Sequence, residues 1–221
     1  MVAAHFSHVE TWVFDLDNTL YPPETRLFDQ IEAKMTAWVA QALDVTEAEA
    51  DRLRRHYWQT HGTTLAGLME VHGIEPAAYL ADVHDISFDG LAPDPALAAA
   101  IARLPGRRIV YTNATVRYAA RVLGALGLET LFDALYGVEE AGFRPKPRAE
   151  AFATVFAADG LAPNRAAMFE DDARNLAVPH AMGLRTVHVA PAPMPAAHVH
   201  HHTDDLAAFL AAATSGTGSG D

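Results

Sequence analysis

Four short apolar runs, rich in β-branched or aromatic residues, stand out along the chain: residues 12–16, 108–111, 167–169 and 186–189. The first three lead into polar groups, Asp17-Asn18, Thr112-Asn113 and Glu170-Asp171-Asp172. Runs of this length, bounded by turn-forming residues, predict buried strands. Residues 116–126 place Val116, Ala119, Ala120, Val122, Leu123 and Leu126 on one helical stripe, and 149–158 carries a second helical pattern. Strands alternating with helices predict βαβ units wound around a parallel sheet.

Residues 22–90 break that alternation. Leu27, Phe28, Ile31, Met35, Trp38 and Val39 mark one helical stripe. A second helix spans 46–61, with Thr46 as N-cap and Glu49 completing a capping box, and shorter helices follow near 65–71 and 77–83. Pro- and Gly-rich loops, Tyr21-Pro22-Pro23 and 89–95, bracket this insertion as candidate hinges. Beyond Val189, a Pro-rich connector over 190–197 leads to a last helix capped by Thr203 and ending near 213. The expected layout is an α/β core with a doubly wound, mostly parallel Rossmann-like sheet from 1–21 and 91–213. An all-helical cap occupies 22–90, and 214–221, rich in Gly and Ser, is expected to be a disordered tail.

In an open α/β sheet the ligand site lies beyond the carboxyl ends of the strands, which is where the polar groups converge. Asp15-Leu16-Asp17-Asn18-Thr19-Leu20-Tyr21, Thr112-Asn113, Lys146 within Arg144-Pro145-Lys146-Pro147, and Glu170-Asp171-Asp172 resemble, in order, the four motifs of the haloacid dehalogenase superfamily. The insertion just after the first motif matches that superfamily's type 1 cap. The resemblance implies a magnesium-dependent phosphohydrolase. Asp15 would be the nucleophile, forming an aspartyl-phosphate that divides one difficult hydrolysis into two displacements. Asp17 would be the general acid and base.

The resemblance also implies the remaining roles. Mg²⁺ would be held by the Asp15 side chain, the Asp17 backbone carbonyl and Asp171, with Asp172 on the metal or its waters. Glu170 stands where relatives commonly carry an apolar residue or glycine, so it could shift which carboxylate touches the ion. Thr112 and the amides of Asn113 and Ala114 would hold phosphate oxygens at a helix start, and Lys146 would offset the transferring charge. Asp-Asn-Thr-Leu-Tyr, Thr-His-Gly-Thr-Thr (60–64), Thr-Asn-Ala and Asp-Asp together resemble the pyrimidine 5′-nucleotidase subgroup. That subgroup implies a nucleoside 5′-monophosphate as substrate, with Tyr57, His61 and Thr64 candidates for reading the base. The alternative for this segment is packing, with Tyr57 and Trp58 inside the cap and His61 a polar helix end.

Charge and composition narrow the partners. The 221 residues include 16 basic and 28 acidic side chains, a formal charge of −12 that disfavours a nucleic-acid polymer or an anionic membrane. A small phosphorylated metabolite remains compatible, because a bound cation inverts the local field. There is no cysteine, hence no disulfide framework or thiolate chemistry. The first residues show neither a basic n-region nor an apolar h-region, and the chain is expected to be cytoplasmic, as a monomer or homodimer. His198, His200, His201 and His202 read as a flexible approach to the last helix that binds metal only adventitiously. Trp12 and Trp38 read as core, and Asn175 as a local hydrogen bonder. Other functions compatible with the fold are a phosphoglycolate or sugar-phosphate phosphatase, a phosphomutase, and a non-enzymatic phosphate-sensing module. A haloacid dehalogenase would need neither Asp17 nor the Asp171/Asp172 pair.

Overall fold

The computed structural model describes residues 2–215, and most of the expected tail lies outside them. Six strands form one wholly parallel sheet in the order β3-β2-β1-β4-β5-β6: β1 Thr11–Phe14, β2 Arg107–Tyr111, β3 Ala134–Tyr136, β4 Ala166–Glu170, β5 Arg185–Val189 and β6 His201–Thr203. The order reverses at β1, so the switch point lies between β1, β2 and β4.

Helices cover both faces. Trp12 and Phe14 of β1 pack into a layer with Leu97 of α5 (Pro95–Ala102), Val122 of α6 (Val116–Leu126) and Leu210 of α9 (Leu206–Thr214). Val13, between them, points to the opposite layer with Phe152 and Val155 of α7 (Ala149–Asp159) and Leu184 after α8 (Ala177–Met182). The period-2 alternation of a strand thus feeds two cores, each large buried side chain contributing about 1.5–3 kcal/mol of transfer free energy.

Four helices stand between β1 and α5: α1 Leu27–Leu43, α2 Glu47–His61, α3 Thr64–His72 and α4 Pro76–Val83. They form the helical cap. Thr46 caps α2 by accepting from Glu49 N, but Glu49 completes no reciprocal box, its carboxylate binding Arg52 instead. Trp38 of α1 meets Tyr79 of α4 edge-on at 5.1 Å.

The two outer strands were not expected. β3 is three residues long, and β6 consists of His201, His202 and Thr203, with none of the apolar patterning that marks inner strands. The histidine segment is therefore ordered backbone, not a flexible approach: β6 pairs with β5, and the Thr186 hydroxyl donates to His198 O at 2.7 Å. Thr203 lies in that strand, and Asp205 caps α9.

Candidate active site

The chain leaves β1 through a turn that folds its polar residues back on themselves. Asp15 extends the sheet ladder, its N–H donating to Phe169 O at 2.9 Å. Asn18 adopts left-handed backbone, φ 59°, tolerated by a side chain short enough to hydrogen-bond locally, and its amide donates to Asp171 Oδ2 at 3.4 Å. The Thr19 hydroxyl donates to Asp15 Oδ2 at 3.2 Å.

Lys146 arrives from the loop between β3 and α7. Its ammonium, 1% exposed, donates to Asp15 Oδ1 and Glu170 Oε2, both at 2.6 Å, and to Tyr111 O at 3.1 Å. The Asn113 side chain fixes the lysine backbone from both sides, accepting from Lys146 N at 2.8 Å and donating to Lys146 O at 3.2 Å. The cap touches the same carbonyl. At Gly62, φ 91°, a Cβ would stand 3.2 Å from Lys146 O and 3.4 Å from Pro145 and Pro147, so this cap–core approach requires glycine.

Asp17 is held differently. Its Oδ1 accepts from the Tyr21 hydroxyl at 2.5 Å and the Tyr118 hydroxyl at 2.8 Å. Tyr118 sits on α6 and stacks on His84 at 4.5 Å, at the link between cap and core. Tyr21 belongs to the first motif; Tyr118 carries no motif signal, only its place one turn after the Thr115 N-cap.

Burial first, and crowding of charge second, govern the titration of these groups. Burial, then the charge of Glu170, pushes Asp15 up to about 7 despite Lys146. Burial and the charge of Asp15 push Asp17 up to about 6, and the same causes push Asp171 up to about 6. Burial drives Glu170 up to about 8 against the pull of Lys146. Burial alone would lower Lys146, but Asp15 and Glu170 outweigh it and hold the ammonium above its ordinary range.

Carboxylate oxygens of Asp15, Glu170 and Asp171 lie within 4.8 Å of one another, the one such group among the described residues. One lysine against three acids leaves negative charge uncompensated, and an all-oxygen donor set suits a hard cation such as Mg²⁺. The donor set therefore fits a hard divalent cation, and the third carboxylate grouped with Asp15 and Asp171 is that of Glu170. The Asp172 carboxylate is engaged instead by Arg174, at 3.0 Å from Nε and 2.5 Å from Nη2.

The expected phosphate cradle is partly spent. Ala114 N donates to Thr112 Oγ1 at 3.0 Å, and α6 begins at Val116 behind its Thr115 cap, so neither amide opens the helix itself. Asn113 contributes its side chain to the lysine, as above.

A cavity of about 740 Å³ opens over these groups, floored by Asp15, Asp17, Thr112 and Lys146 and walled on the cap side by Trp58 and Thr64 among others. Tyr57 and His61 do not line it. Tyr57 is buried against α3, where a Cβ on Gly67 would fall 2.2 Å from its ring, and its hydroxyl pairs with His72 Nε2 at 2.6 Å. His61 Nδ1 meets Thr60 Oγ1 at 2.7 Å. Trp58, which the packing alternative put inside the cap, is 46% exposed. A second groove of about 570 Å³ runs past His200, His201 and His202 and is lined by no acid.

The chain is 27% identical over 178 residues to "Phosphate metabolism protein 8" of Saccharomyces cerevisiae, a match covering 74% of this chain and 56% of that one. It thus spans little more than half the length of that relative. Its fold is similar to CbbY from Rhodobacter sphaeroides in complex with phosphate, with a TM-score of 0.65 at 18% identity, over 91% of this chain and 99% of that one. It is also similar to YfnB from Bacillus subtilis bound to magnesium, with a TM-score of 0.57 at 16% identity, over 93% and 98%. Among the described residues no helix is long and apolar enough to cross a membrane. The haloacid dehalogenase-like hydrolase family model matches residues 9–183, from β1 through α8, and the chain belongs to that family.

Proposed function

We propose that the protein is a phosphohydrolase that cleaves small phosphate monoesters through an aspartyl-phosphate on Asp15, with a nucleoside 5′-monophosphate as substrate. The observation that carries this reading is the unlike treatment of two carboxylates two residues apart. Asp15 contacts a buried ammonium at 2.6 Å, while Asp17, two residues on, is held by two phenol hydroxyls.

In the first displacement an Asp15 oxygen attacks phosphorus, the bond to the leaving oxygen breaks, and Asp17 gives that oxygen its proton. A pKa near 6 suits a group that must be an acid in one step and a base in the next at neutral pH. In the second, water attacks the phosphorus of the aspartyl-phosphate, Asp17 takes the water's proton, and Asp15 is released as carboxylate. Lys146 pulls Asp15 toward its ionised form and offsets charge on the phosphoryl oxygens, and Asn113 sets the direction of that lysine. Asp15, Glu170 and Asp171, with the Asp17 carbonyl, would hold a magnesium ion, which would supply charge neutralisation of the phosphoryl group. The cavity volume falls in the range of small-molecule sites and suits a nucleoside.

Replacing Asp15 by Asn tests the reading. Release of phosphate from 4-nitrophenyl phosphate is expected to vanish in a variant that still melts cooperatively, chelation is expected to silence the native protein, and magnesium but not calcium to restore it. Near-native turnover by the Asp15→Asn variant overturns the proposal.

A further inference from the structure

We propose that Trp58 selects the leaving group: its indole is a stacking platform for a neutral planar ring attached to the transferred phosphate, and Arg174 holds it in position. The inference rests on the phosphohydrolase reading and deepens it.

Among the described residues three large hydrophobic side chains are exposed, Trp58, Val71 and Met194, and two of them, Trp58 and Met194, line the cavity above Asp15. Apolar surface left uncovered inside a concave site marks a place for a ligand. Trp58 is also fixed. The Arg174 guanidinium carbon stands 3.7 Å from the indole centroid, close enough for a strong cation–π contact, and Asp172 clamps that guanidinium. Arg174 does not line the cavity, whereas Trp58 does. At this position the cavity therefore meets Trp58 and not the guanidinium packed on its ring. An indole ordered before the ligand arrives loses little rotamer freedom when it stacks.

Charge decides which ring fits. The charged cap residues lining the cavity are Glu32, Arg54 and Arg55. Arg54 binds Glu32 at 2.8 Å and Asp51 at 3.0 Å, and Arg55 pairs with the other oxygen of Asp51. Two guanidiniums are thus matched by two carboxylates within the cap. Arg54 Nε is buried without a partner, but the charge of both guanidiniums is already matched, so a leaving group with a second phosphate or carboxylate competes with Glu32 and Asp51 there, while a neutral nucleobase or other aromatic ring disturbs no charge pairing.

The test compares kcat/KM for UMP and 4-nitrophenyl phosphate with that for glycerol 3-phosphate and phosphoglycolate, which carry no ring. Trp58→Ala is expected to lower the ratio of ring-bearing to ringless substrates about tenfold or more, as loss of base–aromatic stacking does. Trp58→Phe retains most of the ratio, and Arg174→Gln lowers it by a smaller factor. A second readout is independent of turnover: UMP quenches indole fluorescence in the Asp15→Asn protein and fails to do so once Trp58→Phe is added. Equal loss on all four substrates, no loss, or quenching that persists without Trp58 overturns the proposal. If phosphoglycolate outperforms both ring-bearing esters in the native protein, the stacking platform is wrong and the phosphohydrolase stands. If no ester is cleaved, the phosphohydrolase reading falls and the fluorescence experiment still judges Trp58.

Discussion

On the core side of the cavity, Asp15 and Glu170 are buried and each bonded to the buried Lys146, with Asp17 and Asp171 partly buried beside them. On the cap side the charges cancel within the cap, and the surface offered inward is a half-exposed indole with threonine, aliphatic and further aromatic side chains. Charged groups buried this way are costly, and their ionisation stays far from the ordinary range, which a polar reaction exploits. Apolar surface is cheap to leave and accommodating in shape, which suits recognition. On the proposed reading the two tasks fall to separate elements: strand ends for chemistry, an inserted helical layer for choice of substrate.

The largest expected effect separates the two sides. Replacing Lys146 by Met removes the one cation among Asp15, Glu170 and Asp171, and the barrier is expected to rise by about 2.7–4 kcal/mol, a loss of roughly 10²–10³ in kcat. That loss is common to every substrate, ringed or not, whereas changes at Trp58 alter ratios. A Lys146 variant that discriminated among leaving groups would erase the distinction between the two sides.

The core side was the more legible in sequence because its residues are tied to strand ends. An apolar run stops where the sheet edge begins, so Asp17, Thr112 and Glu170 are located by the pattern itself, and Asp15, inside its run, by the motif resemblance. Glu170 was recognised as unusual, yet nothing in a row of three acids tells which carboxylate turns inward. In the fold Lys146 takes Glu170, while Arg174 takes Asp172 two residues away. Tyr118 was invisible for a related reason: a tyrosine on an amphipathic helix reads as core, and its hydroxyl finds Asp17 across 101 residues of sequence. In the cap, Tyr57, Trp58 and His61 share one helix end, and which of them faces the cavity depends on how α2 lies against α3. The outer strands β3 and β6 were missed because a three-residue edge strand buries too little to need an apolar pattern.

A smaller effect probes the joint between the two sides. His84 lies at the end of α4, stacked on Tyr118, near Thr115 and Arg121, and burial followed by the Arg121 charge lowers it to about 4. The folded protein thus keeps this imidazole neutral while the unfolded chain, with an ordinary value of 6.5, takes up a proton. The stability that follows is complete above 6.5 and is lost as pH falls through the folded value. At pH 4.5 the native protein is expected to have lost about 2–3 kcal/mol relative to pH 7 through this group, and His84→Asn should lack that share. Urea unfolding of both proteins across that range measures it. Parallel pH profiles would mean that the joint is not buried in the way the core is.

The smallest effect is expected where sequence alone pointed most directly at the substrate. His61 and Tyr57 belong to a segment that resembles a nucleotide-reading motif, but in the structure their polar atoms are committed within the cap, to Thr60 and to His72. His61→Ala is expected to shift the barrier difference between UMP and phosphoglycolate by no more than about 0.5 kcal/mol, the size of an ordinary surface substitution. Tyr57→Phe should lower stability by about 1 kcal/mol through the lost hydrogen bond to His72 and leave the same difference unmoved. Stability and selectivity are therefore expected to respond to different residues of one helix, Tyr57 to the first and Trp58 to the second. Measuring melting and kcat/KM on the same three variants decides the matter. A shift of tenfold or more in nucleotide preference from His61→Ala would move the reading of the base back to that segment and remove Trp58 as its sole determinant.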